Sequence, residues 1–372
     1  MAGIYIHIPF CKQACHYCNF HFSTSLRYKN ELITALLKEM ELRRDYFVNE
    51  PVDTVYIGGG TPSLCSTDEI TRILEKVFSN YDVSSGAEIT LEANPDDITK
   101  EKSGEWKKTG INRLSIGIQS FYDDELRWMN RAHTAEAAID SLSLATRDFN
   151  NISVDLIYGL PVSTNEKWKQ NVERAISFGI SHLSCYALTV EPKTPLYKLI
   201  QLKKAEDVSA DRQSEQFLIL MQWMAGAGYE HYEISNFARP GFRSRHNSSY
   251  WQQKKYLGFG PSAHSFDGNA RWWNIANNST YIQSINNGST AFEKEVLTRV
   301  QKLNEYIMTS LRTIEGLDLS IMDEASSAEV RAASKKYIEN GLVIMESGFL
   351  KLTNDGKLFA DGIAADLFFT QK

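Results

Sequence analysis

Tyr5-Ile6-His7-Ile8-Pro9-Phe10-Cys11-Lys12-Gln13-Ala14-Cys15-His16-Tyr17-Cys18 joins a β-rich run to three cysteines spaced C-x₃-C-x₂-C. Gly3–Ile8 predicts a strand, so the cysteines fall on a polar loop at its carboxyl end. The chain has five cysteines in all; Cys65 and Cys185 stand alone, and Cys185 belongs to an apolar strand-like run from His182 to Leu188. Such usage is not a disulfide framework, and a tight cysteine cluster in a reducing compartment points to metal ligation or redox chemistry. Three thiolates on one loop can each take a different iron of a cubane. Fe–S clusters ordinarily take four cysteines, so the fourth iron would keep an open position. A zinc site completed by His16 or His21 uses the same spacing and stays open at this point.

Outward from the loop, β-rich runs alternate with helical patterns. A helix is predicted over about Tyr28–Tyr46, then a strand at Thr54–Ile57, the turn Gly58-Gly59-Gly60-Thr61-Pro62, and a helix beginning near Ser66 or Thr67. Ile70, Ile73, Leu74 and Val77 carry the helical spacing there. Strands Glu88–Glu92, Leu114–Ile118, Ser153–Ile157 and His182–Ala187 follow, separated by helices Lys100–Lys108, Ala135–Arg147 and Asn165–Phe178. At least six β/α units with short connections imply an α/β fold with parallel strands, a partial (β/α)6-type TIM barrel. From about Asp211 the rhythm changes: a helix, Asp211–Ala227, leads into an aromatic and glycine-rich stretch from Tyr229 to Trp273. Beyond Glu295, two helices precede Leu342–Met345 and Phe349–Leu352 around Ser347-Gly348, a winged-helix-like α+β pattern. The expected organisation is a barrel with its N-terminal cysteine loop over 1–230, a connecting segment over 231–294, and a small C-terminal domain over 295–372. The last reads as a lid or packing domain.

Composition excludes several classes. Of 372 residues, 42% are hydrophobic and 23% charged, close to the averages of a soluble globular protein. A net charge of −6 and a pI near 5.8 argue against a nucleic-acid partner. No apolar run approaches the ~18–20 residues of a membrane span. Met1-Ala2-Gly3-Ile4-Tyr5-Ile6-His7 lacks the basic and long apolar regions of a signal peptide. Cytoplasm is the expected compartment, and peripheral association with a membrane would leave no mark of this kind.

The cysteine loop after the first strand, with Gly58–Pro62 after the second, resembles the radical S-adenosylmethionine (SAM) enzymes over the barrel half. The resemblance implies a [4Fe–4S] cluster on Cys11, Cys15 and Cys18, with SAM chelating the remaining iron through its amino and carboxylate groups. It further implies that Gly59, Gly60, Thr61, Glu92, Gln119, Arg131, Asp155 and the backbone at Ala187 contact SAM, with Tyr5 and Tyr17 flanking it. The chemistry suits those residue types: glycine lets backbone approach a ligand, a carboxylate takes ribose hydroxyls, and Arg131 can pair with a carboxylate. Reductive cleavage of SAM would then yield methionine and a 5′-deoxyadenosyl radical.

Within that superfamily, Tyr5–Cys11, the glycine turn and Asp155-Leu156-Ile157-Tyr158-Gly159-Leu160-Pro161 are similar to oxygen-independent coproporphyrinogen III oxidase and to the HemW group of heme chaperones, over nearly the whole chain. Phe20 stands where the oxidases carry a further cysteine, and only four residues precede Tyr5, where the oxidases have a long segment. Both departures count against porphyrinogen decarboxylation. His246-Asn247-Ser248-Ser249-Tyr250-Trp251 matches the HNxxYW motif that marks the HemW group. By resemblance His246, Asn247, Tyr250 and Trp251 are heme-binding candidates, the histidine as axial ligand and the aromatics stacked on the porphyrin. The plainer reading is a packing turn, and His264 is a second candidate. The implied role is a chaperone that binds heme and passes it to hemoproteins such as respiratory enzymes, in preference to a coproporphyrinogen oxidase, on a scaffold able to cleave SAM. The alternatives are the oxidase activity or a radical enzyme with another substrate. Implied partners are heme, acceptor hemoproteins, an electron donor for the cluster and a second copy of the chain in a homodimer.

Overall fold

The computed structural model describes residues 2–47 and 49–370. Strand β1 (Ala2–Ile8) alternates: Ile4, Ile6 and Ile8 are fully buried in the apolar core, while Gly3, Tyr5 and His7 occupy the other face. The same period of two recurs in β2 (Val52–Gly59), β3 (Val83–Ala93), β4 (Arg113–Gln119), β5 (Ile152–Tyr158) and β6 (His182–Ala187). The parallel register sets Tyr5 beside Tyr56, Thr54 beside Glu88, Thr90 beside Arg113, and Asp155 beside Ser184. One face therefore collects Val55, Leu91, Leu114, Val154 and Leu183 in the core. The inner face collects Thr54, Glu88, Arg113, Ser153 and His182, all nearly inaccessible to solvent. Barrel interiors are usually packed with branched apolar side chains; a polar lumen marks a barrel built around polar chemistry.

Helices α1 (Lys29–Leu42), α2 (Thr67–Asn80), α3 (Lys100–Lys108), α4 (Asp123–Trp128), α5 (Ala135–Asp148) and α6 (Asn165–Ser177) connect these strands. Ser66 and Glu69 form a capping box at the start of α2, and Thr99, Thr134 and Thr164 cap α3, α5 and α6 through their side chains. Helix α1 stops at Leu42, short of the expected Tyr46, whose ring instead packs edge-on against Phe47 and Trp272 at 4.8 and 5.4 Å.

After α7 (Pro195–Gln201) and α8 (Ala210–Gly226), β7 (Glu230–Glu233) and β8 (Asn236–Ala238) continue the sheet antiparallel beyond β6. Helix α9 (Arg245–Trp251) crosses to the opposite side, where β9 (Tyr256–Phe259) pairs parallel with β1. Strands β10 (His264–Phe266) and β11 (Ala270–Asn274), then α10 (Asn278–Asn286) and β12 (Phe292–Val296), complete that flank. The twelve-stranded order is β12-β11-β10-β9-β1-β2-β3-β4-β5-β6-β8-β7. Residues expected only to connect thus supply both flanks of the sheet.

The C-terminal unit contains α11 (Arg299–Leu311), β13 (Leu317–Asp318), α12 (Glu324–Glu339), β14 (Val343–Glu346), β15 (Phe349–Leu352) and α13 (Ala360–Asp366). Its antiparallel sheet runs β13-β15-β14 over an apolar core of its own that includes Leu311, Val330 and Leu350. Among the described residues no helix is long and apolar enough to cross a membrane.

Candidate functional site

The cysteine loop leaves β1 at the carboxyl end of the parallel strands, and backbone bonds hold it from several sides. Cys11 N–H donates to the Ser23 carbonyl (3.0 Å), and Ser23 N–H to Pro9 (2.8 Å). The glycine turn after β2 is stitched to the same stretch: Gly60 N–H donates to Ile8 (2.9 Å) and Thr61 N–H to Phe10 (2.7 Å). From the segment after α4, Met129 accepts from His16 N–H (3.1 Å) and Asn130 Nδ2 donates to Ala14 (2.7 Å). Gln13 returns a 2.7 Å bond to Asn130 Oδ1, and the Lys12 ammonium pairs with Asp96 (2.7 Å) and Asp97.

The glycine turn explains itself through this stitching. A Cβ on Gly60 would lie 2.6 Å from the Phe10 carbonyl oxygen, and one on Gly59, at φ +111°, would lie 2.5 Å from His7 Nδ1. Glycine is needed here for the turn to meet the cysteine strand, whatever else approaches it.

Cys11, Cys15 and Cys18 are half-buried. Burial pushes the Cys11 thiol up to about 11, and the Cys18 and Cys15 thiols nearby add to the rise against Thr61 and Arg131. Cys18 is likewise raised, chiefly by burial. The raised thiols of Cys11 and Cys18 suit a strongly cationic partner that takes their protons' place. No trio of His, Cys, Asp or Glu among the described residues is arranged to hold one metal ion. A cubane needs no such convergence, since each thiolate meets its own iron. His16 and His21 are hydrogen-bonded to the Trp128 carbonyl (3.0 Å) and to Asn278 Oδ1 (2.7 Å).

The remaining strand-end residues form one connected wall. Arg131 Nη1 lies 3.4 Å from Cys15 Sγ, and Nη2 donates to Asn94 Oδ1 (2.8 Å) and the Gly117 carbonyl (2.9 Å). Asn94 Nδ2 in turn donates to Thr61 Oγ1 at 3.2 Å. Arg131 Nε and Gln119 Oε1 are both buried without a hydrogen-bond partner, and Gln119 is held at φ +65°. A buried orphan donor and a buried orphan acceptor on one wall fit a polar ligand carrying both kinds of group. Tyr17 packs beside Arg131, Cys15 and Cys18. Ala187 ends β6 opposite Tyr158 of β5.

Glu92 accepts from Tyr56 Oη (2.7 Å) and from Gly59 N–H (3.0 Å). Burial pushes its carboxyl up to about 7, with Asp155 contributing. Asp155 is raised to about 6 by burial, against the hydrogen bond from Ser184 and the charges of Arg113 and Arg131. Tyr5 turns into the lumen, where its hydroxyl meets His7 Nδ1 (3.1 Å) and its ring stacks on Tyr56 and His246. Asn94 and Tyr56 were not singled out from sequence. Asn94-Pro95 directly after the third strand was the available signal for the first; Tyr56, an aromatic on the polar face of β2, had none.

The HNxxYW stretch lies elsewhere. Helix α9 inserts at the amino ends of the strands, opposite the cysteine loop, where the Glu88 carboxylate accepts backbone N–H bonds from Arg245 (3.1 Å) and His246 (3.0 Å). His246 is 1% exposed, and both ring nitrogens are engaged, Nδ1 with Thr54 Oγ1 and Nε2 with Tyr250 Oη, each at 2.8 Å. Burial, assisted by Arg113, lowers its pKa to about 3. The axial-ligand role expected of His246 does not fit this arrangement, because no lone pair is left facing a cavity. Asn247 sits in the first turn of α9, its N–H capped by Ser244 Oγ.

Tyr250 and Trp251 do reach a cavity of about 540 Å³ between β1, α9, β9–β11 and α11. Aromatic side chains dominate its walls, Asn19, Phe20 and His21 line it just after the last cysteine, and Lys254 and Arg271 bring positive charge.

Comparison with known proteins gives the family and the fold. The description "Radical SAM superfamily" matches residues 5–181. The chain is 33% identical over 371 residues to the heme chaperone HemW of Bacillus subtilis (strain 168), covering 98% of each chain. It is 30% identical over 373 residues to the heme chaperone HemW of Mycobacterium tuberculosis (strain ATCC 25618 / H37Rv), covering 98% of this chain and 94% of that one. Its fold is that of coproporphyrinogen III oxidase (HemN) from Escherichia coli, a radical SAM enzyme, with TM-score 0.85 and 24% identity over 99% of this chain and 90% of that one.

Proposed function

The chain belongs to the radical SAM superfamily and, within it, to the HemW family, and from that premise we propose that it is a heme chaperone which holds a [4Fe–4S] cluster and SAM and delivers heme to hemoproteins such as respiratory enzymes. The observation that carries the cofactor half is the wall joining Cys15 to Arg131, with Arg131 Nε and Gln119 Oε1 buried and unpartnered. Cys11, Cys15 and Cys18 hold the cluster, which when loaded can supply an electron to the SAM sulfonium. Arg131 balances the negative charge that gathers on the thiolates and receives the methionine carboxylate. Gln119, Thr61, Gly59, Gly60 and the Ala187 backbone frame the rest of SAM, and Glu92 and Asp155, poised near neutrality, meet its ribose hydroxyls. In this reading residues 1–230 carry the cofactors, 231–294 form the cargo side and 295–372 cover it, in a cytoplasmic protein. Phe20, 71% exposed beside the cargo cavity, takes the place of an oxidase cysteine.

The test is anaerobic reconstitution followed by heme titration with and without SAM. Iron and sulfide near roughly 4:4 per chain and saturable heme binding are expected. A protein that holds the cluster but binds no heme refutes the chaperone reading. Conversion of coproporphyrinogen III to protoporphyrinogen IX under the same conditions replaces it with the oxidase.

A further inference from the structure

The cavity beside β1 offers heme one imidazole with both ring nitrogens free among the described residues, and it is not that of the HNxxYW histidine. We infer that heme sits in this cavity with His264 on its iron, and that His246 is a positioning residue acting through Tyr250. The inference rests on the heme-chaperone reading and assigns the ligand within it.

Three histidines line the cavity. His7 has both nitrogens occupied, by Tyr5 Oη (3.1 Å) and the His21 carbonyl (3.0 Å). His21 has Nε2 bonded to Asn278 Oδ1 at 2.7 Å, which ties down its ring and leaves only Nδ1, against two free nitrogens on His264. His264 makes no side-chain hydrogen bond among the described residues, and its ring lies nearly parallel to Trp273 at 5.9 Å, an orienting contact that leaves the nitrogens free. Burial and the nearby Arg271 guanidinium lower its pKa, which keeps a lone pair available near neutral pH. The backbone of His264 is fixed as well: its carbonyl approaches Gly258 so closely that a Cβ there would lie 2.1 Å away.

The rest of the cavity suits a porphyrin dianion. Tyr250, Tyr256 and Phe266 offer apolar faces to a macrocycle. The Lys254 ammonium has no ion-pair partner among the described residues and stands where a propionate can reach it; Arg271 is shared with Glu305 at 2.5 Å. His246 contributes at one remove. Its Nε2 bond holds Tyr250, whose ring packs edge-on against Tyr256 at 4.6 Å, so the imidazole braces the cavity wall from behind.

Visible spectra of the reconstituted full chain titrated with hemin decide the matter. His264→Ala is expected to lose the wild-type Soret position and recover it when free imidazole is added. His246→Ala is expected to keep that position while binding less heme. A wild-type spectrum in His264→Ala overturns the assignment, as does a loss that imidazole does not restore. So does an imidazole-rescued shift in His246→Ala. Wild-type protein that binds no heme is a different result and refutes the chaperone reading itself.

Discussion

Replacing His246 by alanine separates a packing histidine from an accessible ligand, because the two roles differ in stability. The imidazole is fully enclosed and makes two side-chain hydrogen bonds, with Thr54 and Tyr250. Each bond is worth about 1 kcal/mol net. Losing them also strands two buried hydroxyls, at a further ~1 kcal/mol or more between them. Removing a buried ring of this size leaves a cavity; the all-apolar analogue, Phe→Ala, costs about 3–5 kcal/mol. Allowing for the imidazole's poorer transfer energy and some collapse of Tyr5 and Tyr56 into the gap, the total is about 3–5 kcal/mol. In a chain this long each kcal/mol moves the Tm by only about 1.3 °C, so a fall of about 4–6 °C is expected. Differential scanning calorimetry of the unloaded protein measures it without involving heme. A His246→Ala variant that melts with the wild type refutes the argument, since the ring would then be neither enclosed nor bonded as described.

Gly60→Ala should cost about 1–3 kcal/mol, because its Cβ would meet the Phe10 carbonyl at 2.6 Å, and should lower iron retained after reconstitution; unchanged iron content and melting would contradict it. Arg131→Lys cannot reach Cys15, Asn94 and Gly117 together, and SAM affinity measured by calorimetry should fall on the order of tenfold or more. Burial holds His7 and His133 near pKa 4 and His231 and His246 near 3. Unfolded histidines titrate near 6.5, so between about 6.5 and 4 the unfolded state binds protons the native state refuses. Stability is therefore present above about pH 6.5 and lost as pH falls, by up to about 1.4 kcal/mol per pH unit per histidine; a urea midpoint that stays flat from pH 7 to 5 would disprove it. Cluster assembly must strip protons from raised thiols, so iron loading should quicken from pH 6 to pH 8; an opposite trend in anaerobic absorbance kinetics would count against thiolate ligation.

What the sequence by itself determined is local and periodic. The β/α alternation of the first half was legible because each helix and strand declares its period within its own residues: α3 at Lys100–Lys108 and β6 at His182–Ala187 match their expected bounds. The cysteine loop was legible because its spacing and its place after a strand are facts of a single short stretch. Tertiary structure decided what depends on partners far away in the chain. The flanking strands β7 to β12 are three to five residues long and exist by pairing with β6, β1 or one another, so no periodicity announces them. Only the ladder register turns scattered Thr54, Glu88, Arg113 and His182 into one polar lumen. Asn94 joined the wall because it bridges Arg131 and Thr61, residues 70 positions apart. His246 shows the division most clearly. A motif can say that a histidine stands at a position, but whether its nitrogens face a cavity or a neighbour is set by where α9 docks, and α9 docks against strands from the other end of the chain.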